Sequence, residues 1–283
     1  MVTSPRRILV TGAAGLLAHD LVPALRGAGH VVTAMGRDDL DVTSPAECVA
    51  ATAGHDLVVN CAAWTRVDEA EGEEGLAFAV NALGAANVAR GAARTGARVV
   101  QLSTDYVFDG QSTQPYAAEH PPSPLSAYAR TKVAGEWAVR ALCADSWVVR
   151  TAWLYGGGGP NFVSTILRLA DERGTLDVVD DQRGQPTWTR DLAELLVRMI
   201  DADAGPGTYH ATASGETTWH GLARAVFEER GLDPQRVRPT TTEHFRRPAR
   251  RPAYAVLSNR SLDTVGVAPI RDWREALAEY LRR

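Results

Sequence analysis

The feature that most constrains the fold is a regular alternation, over the first half of the chain, of short apolar runs with helical segments. Strands are predicted at 7–11, 31–35, 57–60, 98–102 and 147–150, and helices at 17–28, 75–95 and 126–143. Strands that are apolar on both faces and are separated by helices are typical of a parallel sheet covered on both sides. The connection rules then favour a doubly wound, Rossmann-type α/β fold.

The pattern becomes looser after Gly156, where glycine and proline become frequent. Helices are still predicted at 161–173 and 190–200. We predict an NAD(P)-binding Rossmann domain over 1–155. The remainder, 156–283, is predicted to be mostly a smaller C-terminal α/β lobe that binds substrate, with some segments, such as the second of these helices, returning to the first domain.

Charge and cysteine usage limit the partners of the chain. The formal net charge is −4 and the pI is near 6.0, so no basic surface is expected for a nucleic acid or an anionic membrane. Three cysteines lie far apart, without metal-ligand spacing or a disulfide framework. The apolar run near the start is too short for a signal peptide or a membrane span. The expected location is therefore the cytoplasm, and no metal is predicted.

A glycine-rich turn follows the first predicted strand and opens the first helix, with Gly12, Gly15, Leu16 and Leu17 in the motif G-x-x-G-x-x-A. Glycines allow the backbone to turn sharply and approach a pyrophosphate, and a helix N-terminus offers free N–H groups. Because the motif ends the first strand of a βαβ run, we interpret it as a dinucleotide site.

The residues after the next two strands refine the choice of dinucleotide. An acidic residue at the end of the second strand would bind the ribose 2′-hydroxyl, but Met35-Gly36 stand there, and Arg37 could pair with a 2′-phosphate. NADPH is therefore predicted, with NADH possible. Cofactor contacts are also predicted for the residues beside the adenine and the ribose, which are Asp41, Val42, Ala62 and Ala63.

Three side chains point to carbonyl reduction. Tyr128 and Lys132 are four residues apart on a predicted helix and share one face, and Thr104 lies at the carboxyl end of the fourth strand. A neighbouring ammonium and a bound nicotinamide cation are expected to lower the pKa of the phenol. Tyr128 is the predicted proton donor, Lys132 is expected to hold the nicotinamide ribose, and Thr104 to hydrogen-bond the substrate oxygen.

The chain resembles the extended short-chain dehydrogenases/reductases, and within them the dTDP-4-dehydrorhamnose reductase family. The similarity runs over nearly the whole length, in blocks within 59–71, 80–81, 103–110, 161–162, 181–187, 207–210, 249–252 and 273–274. The resemblance implies NAD(P)H-dependent reduction of the C4 keto group of a dTDP-linked 4-keto-6-deoxy sugar, and a possible homodimer. It implies Thr104, Tyr128 and Lys132 as the catalytic set, with Val67, Asp105 and Trp153 beside the deoxysugar.

Further substrate contacts are predicted from residue chemistry. The indole of Trp153 can pack on a sugar face, and the polar Asn161 and the cations Arg250 and Arg251 could reach the diphosphate. His210 is expected to be a structural histidine.

Some positions depart from the family pattern. Ala18 replaces a third glycine, and Trp64 stands on the substrate side where a Tyr or His is more usual. Some relatives share Mg²⁺ between subunits through acidic residues, but the match of Asp20, Asp191 and Glu279 to those places is poor.

Two other functions stay open from the sequence. A sugar-nucleotide dehydratase needs a second carboxylate after Asp105, where Tyr106 stands, whereas an epimerase is harder to exclude from the Thr, Tyr and Lys alone. The other alternative is a non-catalytic, reductase-like regulatory subunit.

Overall fold

The computed structural model describes residues 4–283 and is built on a six-stranded parallel sheet. The strands are β1 (Arg7–Thr11), β2 (Val31–Met35), β3 (Leu57–Asn60), β4 (Arg98–Thr104), β5 (Ser146–Thr151), β6 (Leu154–Tyr155), β7 (Leu176–Val179), β8 (Arg183–Gly184), β9 (Thr187–Trp188), β10 (Gly207–His210), β11 (Ala213–Ser214), β12 (Thr217–Thr218), β13 (Val237–Thr240) and β14 (Ile270–Asp272). The sheet order is β10-β5-β4-β3-β1-β2, which confirms the predicted doubly wound α/β fold.

The helices lie close to their predicted positions. They are α1 (Leu16–Gly27), α2 (Pro45–Thr52), α3 (Glu74–Phe78), α4 (Ala85–Thr95), α5 (Ala127–Leu142), α6 (Phe162–Glu172), α7 (Thr189–Asp201), α8 (Trp219–Glu229) and α9 (Trp273–Arg282). The sequence pattern did not predict α2, α8 or α9. Among residues 4–283, no helix has both the length and the apolarity that a membrane crossing requires.

Both faces of the sheet are covered, because successive side chains of each strand point to opposite faces. Ile8 and Val10 of β1 pack with α1 and α7 on one face. Leu9, between them, packs with α2, α4 and α5 on the other. This double burial explains why the strands are continuously apolar rather than alternating.

The predicted helix at 75–95 is one helical segment with an irregular middle. A π-helical turn, Ala79–Gly84, separates α3 from α4. At its end, a Cβ on Gly84 would lie 2.8 Å from Cγ2 of Val42, so the glycine admits the loop after β2. π-helical turns occur frequently at functional sites, and this one holds Asn81, which contacts the active-site loops described below.

A second apolar core lies in the C-terminal half. Residues of α6, α8 and α9 pack around Tyr155 and Trp188. Two elements of the C-terminal half belong instead to the first core and its sheet. Helix α7 packs on α1, and β10 pairs in parallel with β5 at the sheet edge. The predicted helix at 190–200 therefore lies against the large sheet.

Candidate active site

The three predicted catalytic residues lie at the carboxyl end of β4 and the start of α5. Thr104 is the last residue of β4, and Ser126 caps α5 by accepting a hydrogen bond from the Ala129 N–H. Tyr128 follows in the first turn of α5, and Lys132 one turn later. The structure thus brings together groups that are far apart in sequence.

Thr104 is the centre of a small hydrogen-bonded group. Its hydroxyl donates to Oδ1 of Asp105 at 2.9 Å and accepts from the Tyr106 N–H at 3.2 Å. A hydrogen bond between Thr104 and the phenol of Tyr128 favours the phenolate. The ring of Tyr128 meets Tyr106 edge-on, with 6.1 Å between centroids. Thr104 therefore contacts both an acid and the predicted proton donor.

The pKa of the Tyr128 phenol is raised rather than lowered in the protein alone. Burial is the main cause, and the neighbouring Asp105 carboxyl adds to it, while the Thr104 hydrogen bond opposes both. The expectation that a neighbouring ammonium lowers this pKa is wrong. The reason is that the ammonium of Lys132 is directed at a backbone carbonyl, so the phenol is buried without a cation.

Lys132 is held in place by a hydrogen bond to the backbone of β4. Its Nζ donates to the carbonyl oxygen of Leu102 at 2.7 Å, and only 5% of the residue is exposed. Burial lowers the pKa of the ammonium to about 8, although Glu136 one turn along α5 and Cys61 at the end of β3 both raise it. A lysine whose pKa lies near 8 can exchange a proton in the physiological pH range.

A buried chain of polar side chains leads from the Gly-rich turn to this lysine. Thr11 donates to Asn60 at 2.6 Å, Asn60 donates to Gln101 at 2.7 Å, and Gln101 donates to the carbonyl of Leu102 at 2.9 Å. The chain crosses β1, β3 and β4 and ends on the oxygen that Lys132 also contacts. These residues were not singled out from sequence, because polar residues inside apolar strands give no periodic signal.

The turn between β1 and α1 fits the pyrophosphate of a dinucleotide. Gly12 has φ +64°, and a Cβ there would lie 2.7 Å from the N of Ala62. Gly15 precedes α1 and gives it no side-chain cap, so the first N–H groups stay available, and the first turn has no acidic residue. Leu16 is half-buried, whereas Leu17 packs into the core and offers only its main chain.

The predicted adenine and ribose contacts surround the next loops. Arg37, the predicted contact to a 2′-phosphate, is exposed after β2. The pKa of Asp41 is lowered because it accepts hydrogen bonds from the hydroxyl and N–H of Thr43. Val42 is buried against α4, and the half-buried Ala62 and Ala63 follow β3.

Trp153, predicted to contact the deoxysugar, lies in a stack of aromatic rings. It has a left-handed backbone, φ +46°, and its indole stacks on Trp219 with centroids 3.5 Å apart and planes within 7°. Phe162 tilts against Trp219 from the far side, at 4.6 Å. Gly184 approaches the indole so closely that a Cβ would lie 2.5 Å from it. Sequence reasoning missed Trp219 and Phe162, since the stack joins three separate segments.

Two predicted diphosphate contacts have other partners. Asn161 caps α6 in a capping box with Ser164, and its amide nitrogen donates to the carbonyls of Gly156 and Gly159. The side chain therefore has its hydrogen bonds satisfied within its own loop. In this state it holds the glycine run that packs over the start of α1.

Arg251 is occupied in the same way. It makes a bidentate ion pair with Asp68, with hydrogen bonds of 2.7 and 2.9 Å, and it also hydrogen-bonds Tyr106. This pairing closes the C-terminal segment onto the loop after β3, where Val67 is half-buried. Arg250, by contrast, is exposed and can reach a ligand without breaking an ion pair.

Asn81, in the π-helical turn, holds the loop after β3. Its side chain accepts from the N–H of Trp64 at 2.8 Å and donates to the carbonyl of Trp64 and to Thr131. Arg66 lies over the indole of Trp64 at 4.2 Å. Trp64 is therefore fixed, and it packs against the same small cluster of buried alanines as Tyr128.

The acidic residues considered for a metal have other partners. Asp191 forms a bidentate ion pair with Arg271, which also contacts Glu279 at 2.6 Å. Asp20 accepts a hydrogen bond from the hydroxyl of Thr189. Within residues 4–283, no group of acidic, His or Cys side chains has the arrangement of a metal site.

His210 is fully buried. It packs edge-on against Phe108, and burial together with the Arg150 charge lowers the pKa of the imidazole to about 3. Arg150 itself forms a buried pair with Glu136, with hydrogen bonds of 2.9 and 2.7 Å between β5 and α5. This ion pair anchors the helix that carries Tyr128.

A doubly wound sheet with a Tyr and Lys on one helix, a Thr at the end of the preceding strand and a Gly-rich turn defines the class of Rossmann-type, extended short-chain reductases. The chain belongs, within that class, to the family of the dTDP-4-dehydrorhamnose reductases, since the model of the RmlD substrate binding domain matches residues 6–283.

Individual relatives agree with this assignment. The chain is 50% identical over 280 residues to a dTDP-4-dehydrorhamnose reductase of Streptomyces griseus, covering 96% of this chain and 92% of the relative. It is 48% identical to a dTDP-4-keto-6-deoxy-D-glucose reductase of Streptomyces niveus, covering 96% of both. The solved dTDP-4-dehydrorhamnose reductase of Bacillus anthracis in complex with NADP superimposes with a TM-score of 0.93 at 34% identity, covering 98% of this chain and 99% of that one.

Proposed function

We propose that this protein uses NADPH to reduce the C4 keto group of a dTDP-linked 4-keto-6-deoxyhexose. The single observation that carries the proposal is the hydrogen bond between Thr104, at the carboxyl end of β4, and Tyr128, in the first turn of α5, with Lys132 one turn further along the same helix. The names of the relatives supply the substrate class, and the solved NADP complex supports the cofactor.

The cofactor fits the residues present. The N–H groups in the first turn of α1 would hold the pyrophosphate, Arg37 the 2′-phosphate, and the small Ala62 and Ala63 leave space for the ribose. When bound, NADPH supplies the hydride.

The chain's own residues handle the proton. Thr104 is the hydrogen-bond donor to the substrate's C4 oxygen, and Tyr128 is the group that protonates that oxygen. A buried phenol favours its neutral, proton-carrying form, as the raised pKa indicates. Lys132, anchored by Leu102, is placed to bind the ribose and to restore charge balance near the phenol.

The sugar nucleotide is proposed to lie between the two halves. The stacked pair of Trp153 and Trp219 offers an aromatic surface to the deoxysugar, next to Val67 and Asp105. The exposed Arg250 is the proposed diphosphate contact. In this proposal 156–283 supplies the substrate lobe, although α7 and β10 pack on the large sheet.

One observation favours simple reduction over dehydration. A dehydratase would need a second carboxylate directly after Asp105, and the residue there, Tyr106, instead hydrogen-bonds Arg251. The names of the relatives include both a rhamnose-type and a glucose-type reductase, so the proposal specifies the 4-keto-6-deoxyhexose class and leaves the C4 configuration to product analysis.

The test is the loss of NADPH absorbance with a dTDP-4-keto-6-deoxyhexose, with and without prior 3,5-epimerisation. The product's configuration at C4 is read by NMR. Turnover of either form supports the proposal, and lack of turnover with both overturns it. A Tyr128→Phe variant that folds and binds NADPH but retains full activity would overturn the proton-donor role. The proposal includes a homodimer and a cytoplasmic location, which light scattering and fractionation can test.

A further inference from the structure

The hydroxyl of Thr104 has one proton and more than one group that can accept it. Oδ1 of Asp105 takes that proton at 2.9 Å, and the oxygen of Tyr128 is a second hydrogen-bond partner of the same hydroxyl. The N–H of Tyr106 already occupies one lone pair of the Thr104 oxygen. A hydroxyl has a single donor, so Thr104 cannot serve Asp105 and a substrate oxygen at once.

The protonation state of Asp105 decides where that donor points. An ionised carboxylate can only accept, so it holds the Thr104 proton and leaves nothing for the substrate. A protonated carboxyl can donate to the Thr104 oxygen instead. The Thr104 proton is then free to point towards the substrate's carbonyl oxygen.

We propose that Asp105 acts as a positioning residue in its neutral form, donating to Thr104 so that Thr104 can donate to the C4 oxygen of the substrate. The inference rests on the proposed function, since it assigns the Thr104 proton to a keto oxygen. No proton leaves Asp105 in the reaction. Its proton fixes the direction of the neighbouring hydroxyl throughout the turnover.

The surroundings of Asp105 favour the neutral form. The residue is 2% exposed, and within the described part of the chain its second oxygen, Oδ2, is buried without a hydrogen-bond partner. A bare carboxylate oxygen in that position would be costly, whereas a neutral carboxyl loses much less on burial. Burial raises the pKa of Asp105 to about 7, against the opposing hydrogen bonds from Thr104 and the backbone.

The charges around Asp105 do not reverse this preference. The titratable groups that face it are Tyr128 from α5 and Tyr106 from the next turn, and burial holds both phenols in their neutral form. Arg251 lies behind Tyr106, where Asp68 neutralises it through two hydrogen bonds.

We expect kcat/KM for the keto sugar to fall in two separate steps as the pH rises, called here the first and the second descent. As the pH rises above about 7, Asp105 ionises and kcat/KM for the keto sugar falls by about 10-fold per pH unit. Asp105→Asn keeps a neutral donor at the same place, because the amide NH₂ can donate to Thr104. This variant should lose the first descent and keep that of Lys132, whose pKa is about 8. The matched control, Asp109→Asn, removes a nearby carboxylate that binds Tyr116 and Gln111, and it should leave both descents in place.

A spectroscopic test needs no substrate, and its main readout is on the wild-type protein. The infrared pH-difference spectrum of the wild-type protein should show the carbonyl band of a protonated acid that disappears through pH 7, and this band should be absent from Asp105→Asn. A wild-type protein without the band, or an Asp105→Asn enzyme with an unchanged first descent, overturns the inference while wild-type turnover leaves the proposed function standing. Absence of turnover with every keto sugar overturns the proposed function instead.

Discussion

The ammonium of Lys132 donates to the carbonyl oxygen of Leu102 at 2.7 Å, and this contact holds in place the only lysine in the sequence. All other positively charged side chains, apart from the histidines, are the 29 arginines that remain of the 30 Lys and Arg residues. Arginine stays charged at any ordinary pH, whereas the pKa of lysine changes readily on burial. The chain therefore keeps lysine only at the position where proposed catalysis needs a titratable cation.

A single lysine makes its pKa directly measurable. Labelling the protein with [¹³C]lysine should give one side-chain signal, and its Cε shift should titrate with a midpoint near pH 8 instead of 10.5. Burial lowers this pKa, so the ammonium is charged below that midpoint and neutral above it. A midpoint at 10.5, as in a solvated side chain, would contradict the buried geometry.

Gly12→Ala should weaken NADPH binding. The new Cβ would lie 2.7 Å from the backbone N of Ala62, at a φ of +64° that alanine rarely adopts. We expect a dissociation constant at least about 10-fold higher by fluorescence titration, equivalent to roughly 1.4 kcal/mol. Gly29→Ala is the matched control, because φ is also positive, at +90°, but nothing lies within 4 Å of the added Cβ. Equal losses in the two variants would show that backbone strain alone is responsible.

Arg37→Ala should reduce the preference for NADPH over NADH. A hydrogen bond to a charged group contributes about 1.5–3 kcal/mol, so kcat/KM with NADPH should fall by roughly 10- to 100-fold while that with NADH changes little. Arg94→Ala removes an exposed arginine from the last turn of α4 and serves as the charge control. Parallel losses with both cofactors would contradict a 2′-phosphate contact.

Trp219→Ala should impair sugar binding without affecting the cofactor. The indole of Trp219 supports that of Trp153 at 3.5 Å, and aromatic pairs contribute about 0.5–1.5 kcal/mol beyond their burial. We expect KM for the sugar nucleotide to rise by about 3- to 10-fold, with an unchanged NADPH dissociation constant. Trp137→Ala is the control, since that side chain is 60% exposed on α5. An unchanged KM would place the sugar away from the aromatic stack.

Arg150→Met should destabilise the fold strongly. Removing Arg150 leaves the buried Glu136 with only the 3.5 Å contact to the exposed Arg140, which costs about 3–5 kcal/mol in unfolding free energy by urea titration. The double change Glu136→Leu with Arg150→Met should recover much of this loss. Arg168→Ala, in an exposed pair with Glu172, should change the free energy by less than about 1 kcal/mol. A small effect of Arg150→Met would mean that water reaches Glu136.

The sequence predicted those features that depend on local pattern. The strands could be located because a doubly covered sheet requires continuous apolar runs, and Gly12 was recognisable because a tight turn before a helix requires glycine. The stack of Trp219 on Trp153 and the pairing of Arg251 with Asp68 could not be predicted in this way. Each joins residues tens of positions apart, and nothing in the local sequence sets their distance. Arg251 is an example: its charge suggested a contact to the substrate diphosphate, but its partner is Asp68 of the protein itself.

The site of Asn161 gives the same lesson at short range. A polar residue before an apolar helical run signals an N-cap as strongly as it signals a ligand contact. Its side chain satisfies the start of α6 and two loop carbonyls. The local requirement for a cap was the better guide at this position.

The order of strands in the sheet has a consequence for synthesis of the chain. β10 completes the sheet next to β5, yet it is made more than 50 residues later, after α6 and α7. Until Gly207–His210 emerges from the ribosome, β5 is an unpaired edge, and Trp147 lacks its cover. Because an open edge can pair with another chain, a nascent or truncated protein that ends before β10 should be prone to aggregation. The two halves are therefore interdependent in folding, and a fragment confined to the first 155 residues would lack part of its own sheet.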